Sequence, residues 1–418
     1  MSAQTTDVDI AAAGDTGGIG QAVRDYWARV RGGDIGSLPA VLGLIALIIL
    51  FGALEGSTFL SIFNFANLIN QSAAIIVLAM GLVFVLLLGE IDLSAGFAAG
   101  TCAAVLAVAL NSWGLAWPVA LLAALLTGAV IGLVIGMLVA RLGIPSFVVT
   151  LAMFLALQGA MLLIIGEGGT IPIRSDAILV VMNGNMSVVA GWVLAVIIVV
   201  GFALSTLLAI RRRRKAGLPA EAMSVWAVKV IALGALIFVA TYLLNQERQL
   251  PSAKVTIQGV PWVVVVILVL LVGLTFILQR AGFGRHVYAV GGNREAARRA
   301  GINVKGLMIT CFIFCSTLAA IAGVLLASRD NSVSPTTGGA QTLLFAVGAA
   351  VIGGTSLFGG RGKIRDAVIG GLVIAVIANG LPLITQQSGI QFIVTGLVLL
   401  VAASVDAISR RRTAATGS

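Results

Sequence analysis

Twelve long apolar runs constrain the fold of this chain more than any other feature of its sequence. Each approaches the roughly 20 residues that a helix needs to cross the ~30 Å hydrocarbon core of a membrane. The chain has 418 residues, of which 59% are hydrophobic and only 10% charged, whereas soluble domains keep about a quarter of their residues charged. We therefore predict an all-α, polytopic bundle of transmembrane helices. The predicted spans are 38–54, 66–88, 93–111, 115–140, 147–166, 188–210, 225–244, 260–279, 308–327, 341–358, 366–385 and 389–408.

The distribution of Lys and Arg orients these predicted spans, because cytoplasmic loops of membrane proteins carry an excess of both residues. With the N-terminus in the cytoplasm, 21 of the 26 basic residues fall in cytoplasmic segments and four in outer loops, while Lys229 lies inside the seventh span. A missed or invented span would destroy this alternation. The sequence thus predicts twelve spans with both termini cytoplasmic.

Three regions follow from this topology. Residues 1–37 are mostly polar and are expected to form a partly disordered cytoplasmic tail. They lack the basic start and short apolar core of a secretory signal, so we expect the first apolar segment to be retained as a span. Residues 38–408 form the transmembrane domain, and residues 409–418 form a second cytoplasmic tail. Within the domain, the Gly-rich segment 341–358 is either a full span or a broken or re-entrant helix.

The net charge of +10 does not indicate nucleic-acid binding. The basic run 211–215 directly follows a span, where orientation and contact with anionic lipid account for it. The three cysteines, Cys102, Cys311 and Cys315, all lie in apolar stretches and show no metal-ligand spacing. Since the chain also has a single histidine, we expect no metal site. The placement of the basic residues beside the spans likewise predicts no nucleic-acid partner.

The chain shows no energy source of its own. No phosphate-binding loop of the form GxxxxGK[ST] occurs. Ion-coupled carriers usually place acids or bases inside their spans as relays, but the acidic residues near the spans lie at predicted membrane boundaries: Glu90, Asp92, Asp366 and Asp406. A separate motor protein is the simplest source of drive.

The basic cytoplasmic loop 280–307 contains a predicted short helix at about 294–300. Asn293 is placed as its N-cap and Glu295 in its first turn, where the helix dipole favours an anion. Gly301 is placed as its C-terminal stop. We expect this helix to expose Ala296, Ala297 and Ala300, a small-residue face suited to docking in a groove. By itself, the pattern favours a surface helix that merely joins two spans, because capped Ala-rich helices are common.

Four motifs in order along the chain resemble one family, the ribose/xylose-type sugar permeases of ATP-binding-cassette (ABC) importers. The 280–307 loop, with Glu295-Ala296-Ala297 ahead of Gly301, looks like the EAA-type loop through which such permeases couple to their ATPases. The other three are similar to family signatures: GEIDLSAG at 89–96, GIPSFVVTL at 143–151 and IGGTSLFGGRG at 352–362. The resemblance covers about residues 60–408. A basic insert near 205–230, with an added pair of spans, is closest to the xylose branch.

The resemblance implies a homodimeric inner-membrane permease that carries a monosaccharide by alternating access and has no enzymatic activity. It also implies two separate ATP-binding-cassette subunits, which would bind the ATP and Mg²⁺, and a periplasmic or lipid-anchored sugar-binding protein. No cofactor is expected in this chain. Three departures from the family pattern leave the sugar open: Glu90 replaces a common Gly, Gln158 stands where many members have Arg, and residues 341–344 replace a more acidic stretch.

Polar residues near the spans are candidates for the sugar pathway. Asn64, Asn67, Asn70 and Gln71 recur near one helical face at the start of the second span. Amides facing lipid are costly, so we expect them to line a water-filled path or to hydrogen-bond between helices. Asp92 and Ser94 fit helix capping better than sugar contact. Gln158 and Asn379 complete the set of pathway candidates.

Two other classes of function stay open at this point. An ion-coupled secondary carrier would transport solute without an ATPase, and a membrane scaffold or channel would show no ATP-dependent flux. Within the ABC class, the solute could also be another small polar molecule, such as a branched-chain amino acid.

Overall fold

A computed structural model describes residues 37–248 and 257–398, together with 20, 24, 400 and 404. Both predicted tails, and most of the predicted twelfth span beyond residue 398, lie outside the described residues. The regular secondary structure of the described residues is helical apart from two short strands, β1 (Ile171–Pro172) and β2 (Ser332–Val333). Its helices are α1 (Leu38–Leu54), α2 (Gly56–Phe59), α3 (Ile62–Leu87), α4 (Ala95–Asn111), α5 (Trp117–Ala140), α6 (Ser146–Ile165), α7 (Asp176–Asn183), α8 (Val188–Lys215), α9 (Met223–Leu244), α10 (Val263–Gln279), α11 (Gly282–Gly292), α12 (Arg294–Arg299), α13 (Val304–Asp330), α14 (Gly339–Gly353), α15 (Ile364–Ile384) and α16 (Ser388–Val398).

Helix length and composition confirm an all-α, polytopic membrane protein. Seven of the described helices are long and apolar enough to cross a membrane, namely α3, α5, α6, α8, α9, α13 and α15. The bent pair α10–α11 passes the same test as an eighth. Each predicted span overlaps one helix, but α1, α4, α14 and the described part of α16 are shorter, at 10 to 17 residues.

The helices form a buried centre and a lipid-accessible periphery. In the most apolar stretch of α3, 78% of the residues are buried, whereas the corresponding share in α8 is 11%. Helices α3, α4 and α13 supply most of the main core, and α15 packs against them. The pair α8–α9, which carries the basic insert, lies at the periphery and is joined by a hydrogen bond from Trp226 Nε1 to Thr206 Oγ1 (3.0 Å). An unburied apolar helix of this kind is suited to contact with lipid tails.

Glycines allow the central helices to approach one another closely. On α5, Gly128, Gly132 and Gly136 recur every four residues and therefore share one face. A Cβ atom at Gly132 would lie 2.4 Å from the carbonyl oxygen of Phe312 on α13, and one at Gly128 only 2.5 Å from that of Ser316. The backbones of α5 and α13 thus touch along this seam, which no larger residue would permit.

Short connections organise the end of the bundle where α3 begins. Strands β1 and β2 pair antiparallel, with Ile171 opposite Val333. The segment after α9 returns on itself, so that Arg248 pairs with Ile257, and Pro261 then pairs with Asn185. These bridges bring the segments that follow α7 and α9 beside the first turns of α3.

Candidate functional site

The 280–307 loop folds into two helices, although the sequence predicted only one. Helix α11 follows α10 after a bend of 68°. The bend is tight because a Cβ at Gly284 would lie 1.9 Å from the carbonyl oxygen of Leu278, a distance that only glycine permits. Four glycines in eleven residues obscured this helix in the sequence, since glycine disfavours helices. Its buried residues, Val287 and Val290, hold it on the core.

The second helix, α12, confirms the predicted capping pattern. The Asn293 side chain accepts a hydrogen bond from the amide of Ala296 (2.9 Å). Gly301 is left-handed with φ of 83°, and the amide of Ile302 bonds back to the carbonyl of Ala297 (3.1 Å). This is the glycine-terminated C-cap expected of a helix that must stop abruptly.

Glu295 lies on the exposed side of α12 and pairs with two arginines of the same helix. Its carboxylate accepts hydrogen bonds from Arg298 (2.7 and 3.1 Å) and lies 3.5 Å from Arg299 Nε. The hydrogen bond from Arg298 lowers the pKa of Glu295, so the carboxylate is ionised at neutral pH. The surface therefore presents a fixed pattern of one acidic and two basic groups.

The prediction that Ala297 is exposed was wrong. Ala296 and Ala300 are exposed, but Ala297 is 4% exposed and belongs to the main core. The helix needs an anchoring side because it is only six residues long, and Ala297 supplies that side by packing inward. The exposed surface of α12 therefore consists of Ala296, Ala300 and the charged pairs around Glu295.

Backbone contacts and one ion pair fasten this loop to the end of α3. A Cβ at Gly291 would lie 1.9 Å from the carbonyl oxygen of Leu87, the last residue of α3. That same oxygen accepts a hydrogen bond from the amide of Gly360 (2.9 Å). Arg294 forms an ion pair with Glu90. Three segments distant in sequence thus meet at one point.

The glycine-rich loop between α14 and α15 is the third of these segments. The Tyr288 hydroxyl of α11 donates a hydrogen bond to the carbonyl oxygen of Gly362 (2.7 Å). Gly359, Gly360 and Gly362 all have positive φ, a conformation that other residues rarely adopt. The loop needs these conformations to reach both α3 and α11, which explains the cluster of glycines in the sequence.

Asn64 and Asn379 form a reciprocal pair between α3 and α15. Each side-chain amide donates to the other's carbonyl oxygen, both at 2.8 Å. Asn64 also donates to the backbone of Phe59 (2.9 Å). Both residues are about 8% exposed. Of the two roles that the sequence left open for these amides, the geometry of this pair fits hydrogen bonding between helices.

Asn67 and Asn70 face a different surface of α3 from Asn64, because each three-residue step along a helix rotates the side-chain direction by about 60°. They line a cavity of about 180 Å³, called the amide cavity below. Its lining residues are Phe63, Ala66, Asn67, Asn70, Met182, Asn183, Asn185, Arg248, Ile257 and Pro261. Three segments of the chain therefore contribute four amides and one guanidinium to one concave site.

Arg248 is the most unusual member of the amide cavity. It is 4% exposed, and its Nη2 donates to the carbonyl oxygen of Gly259 (2.7 Å). Its Nε and Nη1 atoms have no hydrogen-bond partner among the described residues, and neither does Oδ1 of Asn70. Burial lowers the pKa of Arg248, because removing a cation from water disfavours its charged form.

The remaining predicted residues lie elsewhere. Asp92 and Ser94 are fully buried before α4, and the Asp92 carboxylate accepts hydrogen bonds from the Ser94 amide (2.9 Å) and hydroxyl (2.6 Å). Ser94 is the N-cap by position, but its side chain does not cap the helix, because its hydroxyl donates to Asp92 instead. Gln158 is exposed on α6, and Gln71 is half-buried on α3; neither lines the amide cavity.

Sequence reasoning missed Asn183, Asn185 and Arg248 as site residues. The polar run Asn183-Gly184-Asn185 between two apolar segments was an available signal. No such signal marks Arg248, because a single arginine in a polar loop is common. Among the described residues, no group of three or more His, Cys, Asp or Glu side chains could hold a metal ion.

Comparison with known proteins places this geometry in context. A family model described as the permease component of branched-chain amino acid transport systems matches residues 64–403. The xylose transport system permease protein of Haemophilus influenzae is 36% identical over 379 residues, covering 90% of this chain and 98% of the relative. Its counterpart in Escherichia coli is 34% identical over 372 residues, covering 89% and 92%. The ribose import permease protein of Escherichia coli is 39% identical over 148 residues, covering 35% and 46%. No solved structure matches.

Proposed function

The chain belongs to the permease family that residues 64–403 match, and from this we propose that it is the membrane-spanning permease of an ABC importer for a monosaccharide, with xylose as the first candidate. The observation that carries the proposal is the 36% identity to a xylose permease across 98% of that relative's length. As a permease component, the chain is a multi-pass protein of the bacterial inner membrane and is not an enzyme. Its task is to open a polar path alternately to either side.

The energy for transport would come from a separate ATP-binding-cassette subunit. We propose that ATP and Mg²⁺ bind to that subunit and that this chain holds no cofactor. The absence of a phosphate-binding loop from the sequence supports this division. The EAA-like 280–307 loop favours this reading over the ion-coupled carrier and the channel, because neither has an ATPase to dock there.

The ATPase would dock on the exposed side of α12. Ala296 and Ala300 leave room for a neighbouring surface, and Glu295 with its two arginines supplies charge complementarity. Movement of α12 would reach α3 by two short routes: the Arg294–Glu90 ion pair and the contact of Gly291 with Leu87. Asn293 and Gly301 would keep the helix rigid by fixing its two ends.

A finer topology also forms part of the proposal. Twelve spans with both termini cytoplasmic agree with the distribution of basic residues. The 17-residue helices α1 and α4 measure about 25 Å, close to the ~30 Å core when flanking turns are counted. The exposed apolar residues of α5 and α8 would meet lipid or a second copy of the chain in a homodimer.

The sugar path would begin at the amide cavity, on the side that faces the sugar-binding protein. Asn67 and Asn70 are its proposed pathway residues, since both line that cavity. Two hydrogen-bonded pairs would instead support the helices around the path: Asn64 with Asn379, and Asp92 with Ser94. Gln71 and Gln158 have no assigned contact and stay weaker candidates.

Transport by the reconstituted complex tests the proposal. The chain is placed in liposomes with its ATPase, and the sugar-binding protein is supplied on the opposite side from ATP. We expect uptake of radiolabelled D-xylose that requires ATP and is lost when the ATPase carries an inactive phosphate-binding lysine. Competition by ribose, arabinose and a branched-chain amino acid ranks the solutes. Accumulation driven by a proton or sodium gradient without the ATPase would refute the proposal.

A further inference from the structure

The amide cavity and the 280–307 loop lie at opposite ends of α3. Asn67 is in the second turn of α3, while Leu87 ends it. Twenty residues of helix separate the two positions, which is about 30 Å and matches the thickness of the hydrocarbon core. A solute in the amide cavity would therefore lie on the outer side of the membrane when the 280–307 loop faces the cytoplasm.

Buried atoms without hydrogen-bond partners indicate that the amide cavity binds a ligand. Arg248 is more than nine-tenths buried, yet Nε and Nη1 donate to nothing among the described residues. Buried cations without partners are strongly disfavoured, and proteins rarely leave such donors unsatisfied. Asn70 adds an unpartnered acceptor, its Oδ1. The cavity thus holds two open donors and one open acceptor.

The mixture of donors and acceptors distinguishes between classes of ligand. A carboxylate or phosphate can only accept hydrogen bonds, so it would satisfy Arg248 and leave Asn70 Oδ1 unpaired. A hydroxyl group both accepts and donates, so a compound with several hydroxyls can satisfy all three atoms. The apolar residues Phe63, Met182 and Ile257 line the same cavity and suit the C–H faces of a sugar ring.

We infer that the amide cavity is a binding site for a small neutral polyol, in which Arg248 and Asn70 hold adjacent hydroxyl groups of the transported sugar at the outer end of the path. The inference rests on the proposed function for the identity of the sugar. The volume of about 180 Å³ is below the ~300 Å³ at which drug-sized sites begin, and so favours a single small ring over an oligosaccharide.

Direct binding to the permease alone tests this site. The full chain in lipid nanodiscs, with neither ATPase nor binding protein, is titrated with D-xylose and followed by saturation-transfer NMR. We expect saturable binding that Arg248→Gln weakens at least about tenfold, as the loss of a charged hydrogen-bond donor should do. Arg174→Gln, at an exposed arginine of another loop, is the matched control and should bind as the wild type does.

A second variant separates binding from misfolding. Asn70→Ala removes the open acceptor at a position with no described hydrogen bond to lose, and it should weaken D-xylose binding while leaving the elution profile and thermal stability unchanged. Absence of wild-type binding, which would mean that only water fills the cavity, would overturn the inference. Equal binding by Arg248→Gln, or competition by acetate that shows an anion site, would also overturn it.

Transport by the full complex separates this inference from the proposed function. The inference predicts that Arg248→Gln raises the KM for uptake at saturating binding protein. If the wild-type complex imports D-xylose and the variant does so with an unchanged KM, the cavity site fails and the transport function stands. If the variant instead loses affinity for the binding protein alone, Arg248 belongs to a protein interface and the sugar site is refuted. Lack of ATP-driven import by the wild type would refute the proposed function itself.

Discussion

Two adjacent glycines at the end of α11 allow the contact between the 280–307 loop and α3 to be tested with an internal control. Both Gly291 and Gly292 are helical residues. A Cβ at Gly291 would lie 1.9 Å from the carbonyl oxygen of Leu87 and 2.7 Å from the amide of Gly360, whereas a Cβ at Gly292 has open space within 4 Å. The substitution Gly291→Ala and its control Gly292→Ala thus add the same methyl group in two opposite environments.

The size of the effect follows from these distances. Contacts of Cβ closer than 3.0 Å essentially do not occur, so the Leu87 carbonyl must retreat by more than 1 Å. That carbonyl also accepts the Gly360 amide, so its movement disturbs the glycine-rich loop as well. Overpacking of this kind costs about 1–3 kcal/mol. At Gly292 the change should stabilise the helix slightly, by up to about 1 kcal/mol, because alanine favours helices over glycine.

Reconstituted transport provides the assay. Each variant is assembled with the ATPase and binding protein in liposomes, and both ATP hydrolysis and sugar uptake are measured. We expect this strain to fall on the contact between the loop and α3. A cost of 1–3 kcal/mol there corresponds to roughly 5- to 150-fold in coupling, so Gly291→Ala should lower the uptake per ATP at least about fivefold. Gly292→Ala should match the wild type. Wild-type coupling in Gly291→Ala, or equal damage in both variants, would refute the reasoning.

Three further substitutions test other contacts. Asn64→Leu should destabilise the protein by about 1–3 kcal/mol because it leaves the buried amide of Asn379 unpaired. Adding Asn379→Leu should recover most of that loss. Thermal unfolding in detergent measures both variants, and a double variant less stable than the single one would contradict the pairing. Glu90→Arg should reduce uptake by setting two cations together, and adding Arg294→Glu should restore part of it, which a double-mutant cycle quantifies. Gly132→Ala should lower the unfolding temperature because its Cβ would lie 2.4 Å from a backbone oxygen of α13. The control Gly159→Ala on α6, where a Cβ would face open space, should leave the unfolding temperature unchanged.

Local signals in the sequence predicted local features of the fold. Runs of about 20 apolar residues located the helices because every backbone polar group must be satisfied inside a membrane, which favours helices. The caps at Asn293 and Gly301 were also predictable, since a cap depends on residues only a few positions away. Every predicted span overlaps a helix, whereas the orientation inferred from the basic loops stays a prediction.

Contacts between distant segments were not predictable in this way. Asn64 and Asn379 are 315 residues apart, and nothing local indicates that each would satisfy the other. The exposure of Ala297 was misjudged because its burial depends on the core beneath α12 rather than on its own helix. Arg248 becomes distinctive only when three segments close around it. Glu90, which replaces a glycine common in the family, forms an ion pair with Arg294 of α12, and this distant partner balances its charge.

Helix α3 explains how these distant contacts could act together. Its residues from Ser72 to Leu87 are all buried, and close-packed interiors transmit displacement because they have little free volume. One end of this helix carries Asn67 and Asn70 in the amide cavity, and the other abuts Gly291 and ends near Glu90. A push on the 280–307 loop would therefore move α3 as a rigid rod. We therefore expect the two ends to be coupled reciprocally, so that a sugar in the amide cavity changes the affinity of the loop for the ATPase.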